Sequence, residues 1–162
     1  MKRRYLILFS LSGLVLCCDQ WTKHWARLVL TDRSIPLLGS VVELVHTTNS
    51  GFAFGLLQKA PSAMQDIFFV AVPVFALILI ILIFIKLQDN QILTSVALTT
   101  ILGGAVGNLI DRLHYGYVID FLRLRFGSFE LPPFNLADAS IVVGVVLMFV
   151  STMGQGGREV AA

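Results

Sequence analysis

Between residues 67 and 87 every side chain but that of Lys86 is apolar. About 20 apolar residues in a helix cross the hydrocarbon core of a bilayer. A helix apolar around its whole circumference is buried in a large core or in lipid, and this chain is too short for a large core. Three further segments, about 5–25, 93–113 and 135–153, are also long and apolar. The chain has 162 residues, 56% hydrophobic and 14% charged, where a soluble domain carries roughly 25% charged residues. Its mean hydropathy is +0.82. An ordinary soluble globule is excluded, and so is a disordered chain, which needs low hydrophobicity and high charge. The expectation is a membrane α-helical fold: one integral domain over 1–162 with four spans. Two connecting segments, about 26–65 and 114–134, lie on one side.

The N-terminus starts Met1-Lys2-Arg3-Arg4 and turns apolar at Tyr5, as a secretory leader does. No small residue precedes Cys17, no Ala-x-Ala follows, and the run continues past Trp21 and Trp25, so a retained first span is expected. Cys17 and Cys18 are adjacent and cannot meet the geometry of a disulfide with each other; they are read as lipid-facing. A net charge of +2, scattered along the chain, gives no footprint for nucleic acid. Lys and Arg density in the short segments favours an N-in, C-in multi-pass orientation. The polar turn Gln88-Asp89-Asn90-Gln91 makes the second and third spans an antiparallel pair.

The two connecting segments hold candidate strands. Val41-Val42-Glu43-Leu44-Val45-His46 is β-branched and bounded by turn residues. Residues 118–126 include an alternating stretch from Leu122 to Phe126. Together they suggest a small sheet on the membrane surface. Pro61-Ser62 suggests the start of a short interfacial or entry helix. Pro132-Pro133 forces an extended approach to the fourth span.

Acidic residues are scarce and costly here. An Asp at the centre of a membrane helix costs about 2.5–3.5 kcal/mol. Asp19, Asp111, Asp120 and Asp138 nevertheless fall near span ends on one side. Asp19 and Lys23 are spaced i, i+4 and can pair on one helix face. Gly103 and Gly107 form a small-xxx-small pattern that admits a close helix. Asn108-Leu109-Ile110-Asp111 and Asn135-Leu136-Ala137-Asp138 repeat the pattern Asn-Leu-x-Asp. Each acid also has a plainer reading, as an ion pair, a helix-end charge or an edge-strand charge. Together they suggest paired carboxylates. Two carboxyls close together share a proton; the ionised one takes a proton from water and the other donates to a carbonyl. The echo would pair Asp111 with Asp138. No His-Glu-x-x-His or Gly-x-Ser-x-Gly motif is present. His24, His46 and His114 have no metal-ligand spacing, so neither metal nor cofactor is expected.

The residues in order resemble the bacterial lipoprotein signal peptidase (signal peptidase II) family. Asp19-Gln20-Trp21-Thr22-Lys23 looks like its first box and Asn49-Ser50-Gly51-Phe52-Ala53-Phe54 like its second. Gly103 to Arg112 with Val118-Ile119-Asp120-Phe121 looks like its third, and Pro133-Phe134-Asn135-Leu136-Ala137-Asp138 like its fourth. Ser50-Gly51-Phe52 departs slightly, where the family often has Thr-Gly-Ala. The resemblance implies four spans with an extracytoplasmic β-cradle and a short amphipathic element. It implies an intramembrane aspartic endopeptidase that cleaves a precursor just before a diacylglyceryl-modified cysteine. It places the catalytic acids at Asp120 and Asp138. Asn49, Gly51, Asn108, Asp111, Arg112 and Asn135 then bind substrate or support the acids, and Asp19 and Lys23 tie the first helix to the site. The expected partners are a lipidated prolipoprotein and membrane lipid, the location the bacterial inner membrane, and the state a monomer. A small proton-coupled transporter is the rival from another class; it would place acids near mid-bilayer. A membrane scaffold is a third reading, indifferent to loss of the acids.

Overall fold

The computed structural model describes residues 2–31, 33–39, 41–50 and 62–159, with no side-chain detail for 62–66 and 154–159. Four helices are long and apolar enough to cross a membrane. They are α1 (Arg3–Val29), α2 (Ser62–Lys86), α3 (Ile92–Tyr115) and α4 (Leu136–Glu159). The four expected spans fall on them. α1 is longer than expected at both ends, because its terminal basic groups can reach the membrane boundary while the stem stays apolar. The entry helix expected at Ser62 is the first turn of α2 itself; Pro61 lies outside the described residues.

α3 is the hub. In its most apolar stretch 56% of the residues are buried, against 6%, 11% and 22% in α1, α2 and α4. The reason is composition. Helices in lipid associate through small and hydroxylated residues rather than through apolar bulk. α3 buries Thr94, Ser95, Ala97, Thr99, Thr100, Gly103, Gly104 and Gly107. α2 turns many of its large side chains outward, among them Phe75, Ile78, Ile81 and Ile85. Cys17 and Cys18 are exposed free thiols, on the outer surface of α1 as expected.

Helices approach closely at Gly107, where an added Cβ would overlap the Asp19 carboxylate of α1. Gly107→Ala is therefore expected to cost about 1–3 kcal/mol by overpacking. Gly13→Ala, with nothing within 4 Å of its Cβ position, is expected to leave stability unchanged or slightly raised. Thermal unfolding in detergent compares the two, and equal midpoints would refute the close packing at Gly107.

A four-stranded antiparallel sheet lies beyond one end of the bundle, in the order β1 (Ile35–Leu38), β2 (Val42–Asn49), β3 (Val118–Phe126) and β4 (Phe129–Glu130). β2 and β3 are the strands expected from sequence. β1 and β4 were not anticipated: β1 is four residues long and contains Pro36, and β4 has two. Gly116 closes α3 with φ of +77° and an N–H bond of 3.0 Å to the Arg112 carbonyl. That left-handed cap suits glycine and turns the chain into β3. Beyond Pro132-Pro133, Phe134 pairs with Leu122 through two bonds of 2.9 Å. This bridge holds the start of α4 against β3. At the opposite end of the bundle Arg4 meets Asp89 at 3.3 Å, which ties the start of α1 to the α2–α3 turn.

Candidate active site

The β3 strand, the start of α4 and the ends of α1 and α3 converge on a cluster of acids and amides. Asp19, Lys23, Asp111, Asp120 and Asn135 are each at most 1% exposed. Burial at this level demands partners for every charge, and the partners fall into two groups.

The first group is centred on Lys23. Its Nζ lies 2.8 Å from Asp19 Oδ2 and 2.9 Å from Asp111 Oδ2, and it donates to Asn108 Oδ1 at 2.8 Å. Asp19 Oδ1 accepts the Ala137 backbone N–H at 2.8 Å. Asp111 Oδ2 accepts the Ile119 N–H at 3.2 Å. One lysine and two carboxylates thereby join α1, α3, α4 and β3. Gln20 completes the group, donating to Asp111 Oδ1 at 2.9 Å and to the Gly107 carbonyl at 3.2 Å. Sequence reasoning gave Gln20 no role of its own. Its only signal was a polar amide beside Asp19 inside an apolar span.

The second group is centred on Asn135. Its Nδ2 donates to Asp120 Oδ1 at 2.7 Å, and its Oδ1 accepts the Asp138 N–H at 2.9 Å. The Asn135 backbone N–H in turn donates to Asp138 Oδ2 at 3.1 Å. This reciprocal pair has the form of a capping box, with Asn135 just before α4 and Asp138 in its first turn. Asn108 Nδ2 donates to Asp138 Oδ1 at 2.8 Å. Asn49, on β2, donates to Asp120 Oδ2 at 2.9 Å. Asn108 and Asn135 also touch each other at 3.1 Å. Asp120 and Asp138 are thus held by amides and backbone, with Asn135 bridging them, and the Lys23 group holds Asp111.

Burial pushes the Asp120 carboxyl from its ordinary 3.8 up to about 6, and the Asp138 charge adds to the rise against the hydrogen bonds from Asn49 and Asn135. Arg112 lies within electrostatic reach of Asp138, Asp111 and Asp120. Its guanidinium sits 4.6 Å above the Phe69 ring, and its buried Nε has no hydrogen-bond partner. Its Nε is a donor with unused capacity near three acids. Gly51 lies outside the described residues. Among the described residues no group of three or more His, Cys, Asp or Glu is placed to hold a metal.

The fold and this cluster define a polytopic membrane protein with a buried, acid-bearing polar site at the sheet end of its bundle. Residues 11–154 match the family model described as Signal peptidase (SPase) II. A lipoprotein signal peptidase of Syntrophus aciditrophicus is 36% identical over 93% of this chain and 94% of its own. One of Moorella thermoacetica is 41% identical over 92% and 96%. A bacterial membrane enzyme solved by the in meso method at 2.3 Å superposes with a TM-score of 0.78 at 28% identity, covering 96% of this chain and 90% of that one. The chain belongs to the signal peptidase II family. It is a membrane peptidase, and its function is lipoprotein signal peptide cleavage. The transporter alternative finds no support in these likenesses.

Proposed function

We propose that the chain is an aspartic endopeptidase whose reacting groups are Asp120 and Asp138. The observation that carries the reading is the Asn135 bridge, which fixes both carboxyls from one side chain. Asp138 lies in the first turn of α4, where the positive end of the helix dipole favours a carboxylate. It acts as the base that takes a proton from water. Asp120, with its raised pKa of about 6, keeps the proton and donates it to the substrate carbonyl. Arg112 offers its free donor capacity to the peptide backbone. Asn49, Asn108 and Asn135 orient the acids, while Asp111, Asp19 and Lys23 hold the framework. Gly51 would permit a tight loop over the bound peptide.

The substrate is a prolipoprotein carrying a diacylglyceryl-modified cysteine, cleaved just before that residue. Acids at the boundary of the spans are placed where a lipid-anchored bond would be presented. The chain works as a monomer in the bacterial inner membrane, N-in and C-in, with the site on the extracytoplasmic side. Incubation of the purified protein with a lipidated precursor and its unlipidated twin tests this. Cleavage of the lipidated form alone is expected, and equal cleavage of both would remove the lipid from the reading.

The pair also sets a pH dependence. The pH profile of kcat/KM reports groups of the free enzyme, and coupled acids titrate as a pair. kcat/KM is expected to fall as pH rises through the upper titration of the pair, with the Asp120 carboxyl at about 6. The stability sign follows from the same shift. Between 3.8 and about 6 the folded chain keeps a proton that the unfolded chain has lost, so acid favours folding in that window. Relative to Asp120→Asn, the wild type is expected to lose stability as pH rises across it. A difference that is flat with pH would contradict the raised carboxyl.

A further inference from the structure

A cavity outside the acid cluster combines an apolar wall with basic and hydroxyl side chains. It has a volume of about 290 Å³ and is lined by His24, Arg27, Leu28, Thr31, His46 and Tyr117. That is near the small end of ligand-sized clefts, roughly 300–1,000 Å³, so it suits a polar headgroup and not a whole lipid. His24, Arg27 and Leu28 come from one face at the end of α1, since spacings of three and four fall together on a helix, and Thr31 lies just past that end. His46 comes from β2, and Tyr117 lies immediately before β3. None of the lining residues is acidic. Among the described residues, the ion pairs within 4 Å include none with Arg27, His24 or His46.

Two observations point to an anion. The His46 Nε2 is buried and has no hydrogen-bond partner among the described residues, although buried polar atoms are almost always paired. Arg27 rests its guanidinium 4.3 Å above the Tyr115 ring, and Tyr115 stacks on Tyr117 at 5.8 Å. The ring holds Arg27 without neutralising it. Arg27 also meets the negative end of the α1 dipole, which accounts for one basic residue but not for the unpaired imidazole beside it. The Thr31 hydroxyl already donates to the Arg27 carbonyl, so Arg27, the imidazoles and the Tyr117 hydroxyl remain as donors. Tyrosines and long basic side chains at a span end mark headgroup depth.

We propose that this cavity binds the phosphodiester headgroup of a membrane phospholipid on the sheet-bearing side. Arg27 and His46 would take the phosphate oxygens, and the acyl chains would run down the outer surface of α1. The full chain in detergent is titrated with short-chain phosphatidylglycerol, with diacylglycerol of the same chains, and with inorganic phosphate, and binding is read by calorimetry. The wild type is expected to bind the phospholipid and not the diacylglycerol. Arg27→Gln and His46→Gln should each weaken binding about tenfold, the scale of one charge-assisted hydrogen bond. Asp120→Asn should bind as the wild type does, which separates this site from the peptidase chemistry. Equal binding of phospholipid and diacylglycerol, or unchanged binding by both variants, overturns the proposal. Inorganic phosphate binding as tightly as the phospholipid also overturns it, by making the free anion the ligand. Should either variant lose its fold by circular dichroism, the wild-type comparison of the three ligands decides alone.

Discussion

Asp120→Asn and Asp138→Asn are each expected to lower the cleavage rate about 10²–10⁴-fold, the range of a general acid or base, while the protein stays folded. Asp120 and Asp138 are linked to the same Asn135. Residues that act as a unit are not additive, so the double variant should be little worse than either single one. Asp120→Asn removes a buried acid whose ionisation is disfavoured but keeps one acceptor for the two amides of Asn49 and Asn135, so the two effects oppose each other in its stability. Asp111→Asn is the control. Asp111 faces Lys23, Gln20 and the Ile119 N–H, so its loss should show first as a lower unfolding temperature. A folded Asp111→Asn without activity, beside an Asp120→Asn that cleaves normally, would make Asp111 the partner of Asp138 instead. Cleavage of a lipidated precursor, measured with thermal unfolding of each variant, distinguishes the two pairings.

Lys23→Met is expected to have the largest effect on stability. It removes the one cation set between Asp19 and Asp111, both fully buried. Breaking a buried ion pair by deleting one partner costs about 3–5 kcal/mol, because the remaining charges stay buried. Adding Asp111→Asn to Lys23→Met should recover part of the loss, since one unpaired carboxylate is then gone. That recovery is the informative result. A merely bulky role for Lys23 predicts no rescue, and an unchanged midpoint for Lys23→Met would show that the triad contributes nothing. Thermal unfolding of the four proteins in one detergent is the measurement.

The spans were legible because each carries an apolar run long enough to cross a bilayer, and residues 118–126 because they hold an alternating stretch. β1 was not legible: four residues containing Pro36 make no periodic signal, and pairing to β2 alone makes them a strand. The acids show a subtler limit. Asn108 to Asp111 and Asn135 to Asp138 share one pattern, and the bare repeat suggests matching roles. The pattern meets opposite electrostatics in the two places. At the start of α4 the free N–H groups turn Asn135 and Asp138 into a reciprocal cap. Towards the end of α3 no such donors exist, and Asp111 finds Lys23 instead. Which end of a helix a motif occupies decided its chemistry here. The role of Gln20 was invisible for a different reason, since its partners are 87 and 91 positions away along the chain.

The amide side chain of Asn108 has a consequence of its own. Its oxygen accepts from the Lys23 ammonium, and its nitrogen donates to Asp138. On one side lies a circuit of full charges that binds helices together; on the other lie two acids held by neutral donors. Asn108 couples them mechanically while carrying no net charge, and the Lys23 charge still reaches the Asp120 carboxyl and opposes its rise. One neutral amide thereby joins the scaffold charges to the Asp120 and Asp138 carboxyls, and Arg112 lies within electrostatic reach of both circuits. A substitution in the scaffold circuit is therefore expected to be felt at the acids through this one side chain.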